Sequence, residues 1–293
     1  MTLETFVSAI AAISGLLFVV CSMLATGLNL TVAQIVQPLK NVRLVILALL
    51  ANFVLVPLLA YAITLIIPLD EALKIGLIVL ATVAGAPFLV KEVQAAKGNL
   101  SLGVGLMFML MVVTIFYVPV VLPLLLPGVE INAWDIAKSL IVTMLIPIVL
   151  GLMFRSHSPE GAQQWAPMLN KVSGVALLLM LVIGLGLNLS NIIDLIGSFG
   201  FLALILFVVG SLLIGMLMGG RDPAVRSVLG LGTAQRNVAA AILVTTLNFG
   251  DTMALPFVLV ASIVLPLILI PTARMLGKRS EAAAPAAGAS DAR

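Results

Sequence analysis

The chain has 293 residues, of which 62% are hydrophobic and 9% charged, with a formal net charge of +3. A soluble domain carries about 25% charged residues, so there is too little polar side chain here to cover a water-soluble globule, in keeping with a mean hydropathy of +1.28. The basic excess sits in loops and does not describe a nucleic-acid surface, and a single cysteine (Cys21) and a single histidine (His157) exclude an intramolecular disulfide and any Cys- or His-rich metal site.

Apolar runs of about 20 residues mark membrane-crossing helices, and nine are predicted in chain order, for an all-α polytopic membrane protein. The first, 5–28, follows an acidic MTLE and is too long for the apolar part of a secretory leader, so it is read as a span. It closes on Gly-Leu-Asn-Leu-Thr at 27–31, which places Asn29 at a span end. The second, 43–67, carries Asn52. The third, 71–97, has Gly85 and Pro87 at its centre, where proline removes a backbone donor and clashes with the preceding turn; it also holds Lys91 and Glu92. The fourth, 100–126, contains Thr114. Spans five to seven, at 135–154, 168–188 and 197–219, are plainer; the sixth closes on Gly-Leu-Asn-Leu-Ser at 186–190, which places Asn188. The eighth, 223–249, carries Gly230 and Gly232 and then Gln235, Arg236 and Asn237 in a row at mid-depth, where a cation is costly and usually functional. The ninth is 252–276, and the Ala-rich tail 277–293 is predicted to be disordered.

Nine spans put the termini on opposite sides. Eleven Lys and Arg residues then fall on the side of the tail and two, Lys74 and Lys138, on the other. By the positive-inside rule the N-terminus is outside and the C-terminus cytoplasmic, in a cell (inner) membrane. The two Gly-Leu-Asn-Leu closures are each followed by a linker, a plain span, a span with polar residues at its middle and a Val- and Leu-rich span. That divides the chain into 1–126 and 135–276. An odd number of spans separates the copies, so the second is inverted. Inverted repeats with interrupted helices at mid-depth are the layout of secondary transporters, and the breaks in 71–97 and 223–249 are predicted to cross at one site. The alternative for the short repeat is a common helix exit capped by Gly or Asn.

On GLNLT, the segment ANFVLVP at 51–57, the AxxGN ending at 95–99 and GTAQRNVAAA at 232–241, the sequence resembles the bile acid:sodium symporter (BASS) family over residues 15–276. The resemblance is to a nine-span form without an additional N-terminal helix. It implies a panel domain and a core domain, with spans three and eight crossing in the core, and organic-anion substrates such as bile acids or other carboxylates carried with sodium. Gln235 matches a sodium-ligating glutamine, and Asn52 falls where the family has another. The family's glutamate four residues earlier is Leu231, its Ser-Asn pair is Leu89-Val90, and its hydroxyls on the next span are Gly103 and Met107. Hard cations need several oxygen ligands, so the sodium sites are expected to be degraded and no metal site is assigned.

The expected function is therefore a secondary transporter of small organic anions by alternating access, without a cofactor and with Na⁺ doubtful as coupling ion. A sodium-coupled symporter of the standard family type, or a channel or sensor, are the alternatives. Arg236, Asn237, Lys91, Asn29, Asn188 and Thr114 are expected to meet the substrate, and Gln235, Asn52 and Glu92 to serve ion binding or coupling. Arg236 with Lys91 would supply fixed positive charge beside the former cation sites. The alternatives are that Arg236 pairs with a buried Glu92, and that Lys91 snorkels to the cytoplasmic end of its span. No HExxH and no buried aspartate pair is present, so the chain is not read as an enzyme. The expected partners are the anion and the lipid bilayer, with no nucleic acid, and the chain is expected to act as a monomer.

Overall fold

A computed structural model describes residues 3–126, 132–187, 198–249 and 252–283, and these are helical with no strand among them. The helices are α1 (Leu3–Asn29), α2 (Val32–Leu39), α3 (Val42–Leu50), α4 (Val56–Ile66), α5 (Glu71–Thr82), α6 (Leu89–Ala95), α7 (Leu100–Leu125), α8 (Ala133–Leu140), α9 (Ile146–His157), α10 (Pro159–Leu187), α11 (Phe199–Met218), α12 (Pro223–Ala234), α13 (Val238–Phe249) and α14 (Ala254–Ala283). Among the described residues, eight helical stretches are long and apolar enough to cross a membrane. The third predicted span is absent from that number because it is two pieces, α5 and α6, neither of which would cross alone. The last helix continues through Ala283, so residues 277–283 of the predicted tail are helical.

The helices form two groups. One holds α1, α10 and the α8–α9 span, packed along one another. Their contact is close because it is made at glycine: a Cβ on Gly27 would lie 2.3 Å from the Ile148 carbonyl oxygen, and one on Gly151 2.5 Å from that of Leu24. All other helices make up the second group, with α12 and α13 at its heart. From Ser227 to Thr245 every residue but Val238 and Leu243 is buried, whereas α11 has an exposed face that carries Leu206, Leu213 and Leu217. Apolar residues facing outward on most helices and an enclosed polar one is the arrangement a bilayer requires.

Two spans carry a π turn, Ala51–Leu55 and Ile141–Leu145, each ending one residue before an X-Pro step (Val56-Pro57, Ile146-Pro147). Pro57 has no N–H to offer the Phe53 carbonyl. The Tyr117 hydroxyl donates to that carbonyl instead, at 2.6 Å, and the widened turn carries Asn52 into the interior with no exposed surface. Between the first two spans the sequence predicts a linker; there the chain forms α2, an amphipathic helix of 8 residues fixed by a reciprocal Thr31–Gln34 capping box. It lies on α7, where Gly105 faces Pro38.

Both helix breaks are present. The first, residues 83–88, has Gly85 at φ +78° pressed into α7. Ala84 on its N–H and its carbonyl is clasped by the Thr114 hydroxyl, at 2.9 and 3.1 Å. The second is Gln235–Asn237, and not at the glycines. Gly230 and Gly232 stay helical and serve close approach: a Cβ there would meet Met216 at 2.7 Å, and the Leu106 and Leu89 side chains at 3.1 and 3.2 Å, respectively.

A candidate site where two broken helices cross

A helix that stops inside a protein leaves its last carbonyls without donors. At the crossing those of α5 and α12 come together, and Arg236 lies between them with no exposed surface. Its Nε donates to the Leu80 carbonyl at 3.1 Å and Nη2 to that of Ala81 at 2.8 Å. Nη1 donates to the Thr233 carbonyl at 3.1 Å and to Asn52 Oδ1 at 2.9 Å. Both helix ends are negative poles, so a cation is placed where the backbone is most electronegative. Because the guanidinium has only donors, the Asn52 amide must turn its oxygen toward it. The Asn52 Nδ2 then donates to the Ala48 carbonyl at 3.0 Å and to Thr233 Oγ1 at 3.3 Å.

Asn237 ties the two breaks directly. Its backbone N–H donates to the Val83 carbonyl at 3.3 Å, its Nδ2 to that of Gly85 at 3.1 Å, and its Oδ1 accepts from the Ala240 N–H, capping α13. Gln235 Nε2 donates to the Arg236 carbonyl at 3.3 Å, and its Oε1 is buried with no partner. Asn52, Gln235 and Arg236 are therefore joined by hydrogen bonds, and Asn237, next in the chain, bonds the first break separately.

The remaining predicted residues lie elsewhere. Glu92 does not pair with Arg236: it is 1% exposed, and both carboxyl oxygens are without a hydrogen-bond partner. Lys91 is exposed, its ammonium 5.7 Å from the centre of the Phe88 ring, so it adds no charge to the crossing. Asn29 is exposed and caps back onto the Ala25 carbonyl at 2.8 Å. Thr114 is the clasp of the first break, and Asn188 lies outside the described residues. Of the positions where the resemblance loses a cation ligand, Leu89, Gly103, Met107 and Leu231 are buried and Val90 is half-buried, with Leu89 and Leu106 packed against Gly232.

A cavity of about 560 Å³ opens between the two groups of helices. Its walls are the first half of α1 (Ala11 to Val19), the end of α10 (Met180 to Leu187), the second half of α13 (Ile242 to Leu247) and the start of α14 (Leu255, Leu259). Those ends share one face of the molecule. Thr246 is the one polar side chain in the lining, and none of the sequence-predicted site residues that are described contributes to it. Sequence reasoning missed this wall and the three acceptor carbonyls, since neither depends on a polar side chain.

The model of the sodium bile acid symporter family matches residues 15–195. A probable sodium/metabolite cotransporter, BASS3 of chloroplasts, from Oryza sativa subsp. japonica is 21% identical over 241 residues, which is 80% of this chain and 57% of that protein. The protein of the same name from Arabidopsis thaliana is 24% identical over 173 residues, 59% of this chain and 40% of that protein. The chain spans about half the length of these relatives.

Proposed function

We propose that this chain, which belongs to the sodium bile acid symporter family, carries small organic anions across a membrane by alternating access. The observation that carries the reading is the pair of broken helices joined by buried hydrogen bonds beside a cavity between two helix groups. Non-helical backbone at membrane depth is tolerated only inside protein or beside water, and in transporters it marks the binding site. In this reading α5 and α6 together make a ninth pass, the two broken spans belong to inverted halves 1–126 and 135–276, and the α1, α8–α9, α10 group moves against the rest. The cavity is its state open to one side. A single chain holds both groups, so a monomer suffices.

The substrate is a carboxylate with an apolar body. The cavity wall is apolar apart from Thr246 and suits the apolar body, and the carboxylate follows the bile acids that the family is named for. The experiment is uptake of a panel of radiolabelled carboxylates into proteoliposomes holding the full chain. Saturable uptake of at least one, competed by its own unlabelled form, is expected; conductance without saturation would identify a channel, and no flux of any carboxylate would reject the reading.

Orientation has its own test. With the N-terminus outside, Lys40→Cys and His157→Cys, each in a Cys21→Ala background, are expected to react with an impermeant maleimide only after the membrane is opened. Labelling of both in intact cells reverses the topology.

A second reading concerns the driving ion. A buried carboxyl with neither oxygen partnered, as at Glu92, is a group that can carry a proton in one state and release it in another. Glu92→Gln is expected to lose uptake driven by a pH gradient while keeping exchange of internal for external anion. If a pH gradient drives no uptake in the unaltered chain, Glu92 has no such role.

A further inference from the structure

We propose that the Arg236 guanidinium is the permanent occupant of a cation site, so that the carrier needs no alkali ion, and that a small side chain at 236 reopens that site to one. The inference deepens the reading of the crossing as the transport site and rests on it for its consequence, though not for the site itself.

The geometry is that of a cation pocket. Four oxygens converge from three separate stretches of chain: the carbonyls of Leu80 and Ala81, the carbonyl of Thr233, and Asn52 Oδ1, all within 3.1 Å of a guanidinium nitrogen. Main-chain carbonyls and an amide oxygen gathered in this way are the donor set of a hard cation. All four are neutral, so the set suits a single charge rather than a divalent ion. Two of the three stretches are carboxyl ends of helices, whose dipoles add to the negative potential. The positive charge that such a pocket calls for is present, and it is covalently part of the chain.

Nothing else nearby could take that role. Glu92 makes no hydrogen bond to the guanidinium, and Lys91 is exposed. Arg236 itself is wholly buried, so no space remains beside it for a hydrated ion. Around Gly232 the neighbouring volume is closed by Leu89 and Leu106. A tethered charge completes the network that joins the halves of both broken helices, but it cannot enter from one side and leave on the other. It therefore fixes the crossing without contributing a transported ion.

The test is the melting temperature of the purified full chain, titrated with sodium chloride against choline chloride at constant ionic strength, alongside uptake in the same two salts. The unaltered chain is expected to melt at the same temperature in both and to take up anion equally fast. Arg236→Ser is expected to melt lower in choline and to recover by a few degrees, saturably, in sodium or potassium, because a ligand that binds only the folded state stabilises it. Arg236→Lys keeps a cation in the pocket and is expected to be indifferent to the salt. Sodium-specific stabilisation or stimulated uptake of the unaltered chain overturns the proposal, as does a folded Arg236→Ser that ignores alkali ions. Should Arg236→Ser fail to fold in any salt, the unaltered chain and Arg236→Lys decide: sodium-specific stabilisation of either overturns the proposal, and indifference in both supports it. A chain with no carboxylate flux whose Arg236→Ser form still gains alkali-ion stabilisation loses the transport reading and keeps the site.

Discussion

Gly85→Ala is expected to abolish recovery of folded protein. The added Cβ would lie 2.1 Å from the Met111 nitrogen and 2.6 Å from the Met107 carbonyl oxygen. Both are backbone atoms of α7, with no rotamer that would move them away. The residue also has φ +78°, a region that costs an L-residue roughly 1–2 kcal/mol before any collision. Relief would require α7 to back away from the break, which breaks the two bonds between Thr114 and Ala84. Those backbone groups would then be orphaned at membrane depth, at several kcal/mol each by the estimate for unsatisfied groups in lipid. The readout is the monodisperse fraction after solubilisation. Gly174→Ala in α10 is the control: nothing lies within 4 Å of its Cβ position, and in a helix interior alanine is favoured by roughly 0.5–1 kcal/mol. Equal recovery of the two variants would show that the first break has slack the packing does not suggest.

The two breaks show how far the sequence speaks for the structure. Gly85 and Pro87 at the centre of an apolar run point to an interruption, and the helix does stop at Thr82 and resume at Leu89. In the eighth span the sequence offers Gly230 and Gly232 and then the polar run 235–237 without saying which marks the break, and the helix runs through both glycines to Ala234. Glycine bends a helix and also lets a neighbour approach, and composition does not separate the two uses; here the second holds, against Met216, Leu89 and Leu106. The linker after α1 is a helix whose Thr31–Gln34 capping box stands in the sequence as a Thr-x-x-Gln pattern.

The site was legible only in part for a similar reason. Asn52, Gln235, Arg236 and Asn237 are unusual residues for a membrane interior, and the structure gathers them. Their principal partners are carbonyls of Leu80, Ala81, Val83, Gly85 and Thr233. Any residue type offers a carbonyl, so no side-chain pattern announces one. Lys91 illustrates the opposite error: its position one residue beyond Val90 suggests charge at the site, but adjacent helical residues point in different directions, and Glu92 is enclosed while Lys91 is not.

Arg236→Met is expected to leave little folded protein, and sodium is expected not to restore it. Methionine reaches only to about the position of Nε and ends in an apolar methyl group, so it enters the pocket without supplying a donor. Leu80, Ala81 and Thr233 would each lose a hydrogen bond to a carbonyl at a helix end, and Asn52 Oδ1 would lose its charged donor. A buried acceptor left unsatisfied costs about 1–3 kcal/mol. Four of them approach the whole stability of a typical domain, about 5–15 kcal/mol. The effects at 236 and 52 should be non-additive, because one bond joins them: with Arg236→Met already in place, Asn52→Leu is expected to cost less than it does alone. The contrast with a small side chain is the informative part. Serine leaves a gap lined by oxygens, which an alkali ion can enter; methionine leaves the same oxygens unpaired and sets an apolar methyl group among them, where it obstructs an ion. Melting in sodium and in choline should therefore separate the two variants although both lack the guanidinium. Identical salt responses would mean that the four oxygens are a structural clasp for an arginine and have no capacity for a free ion.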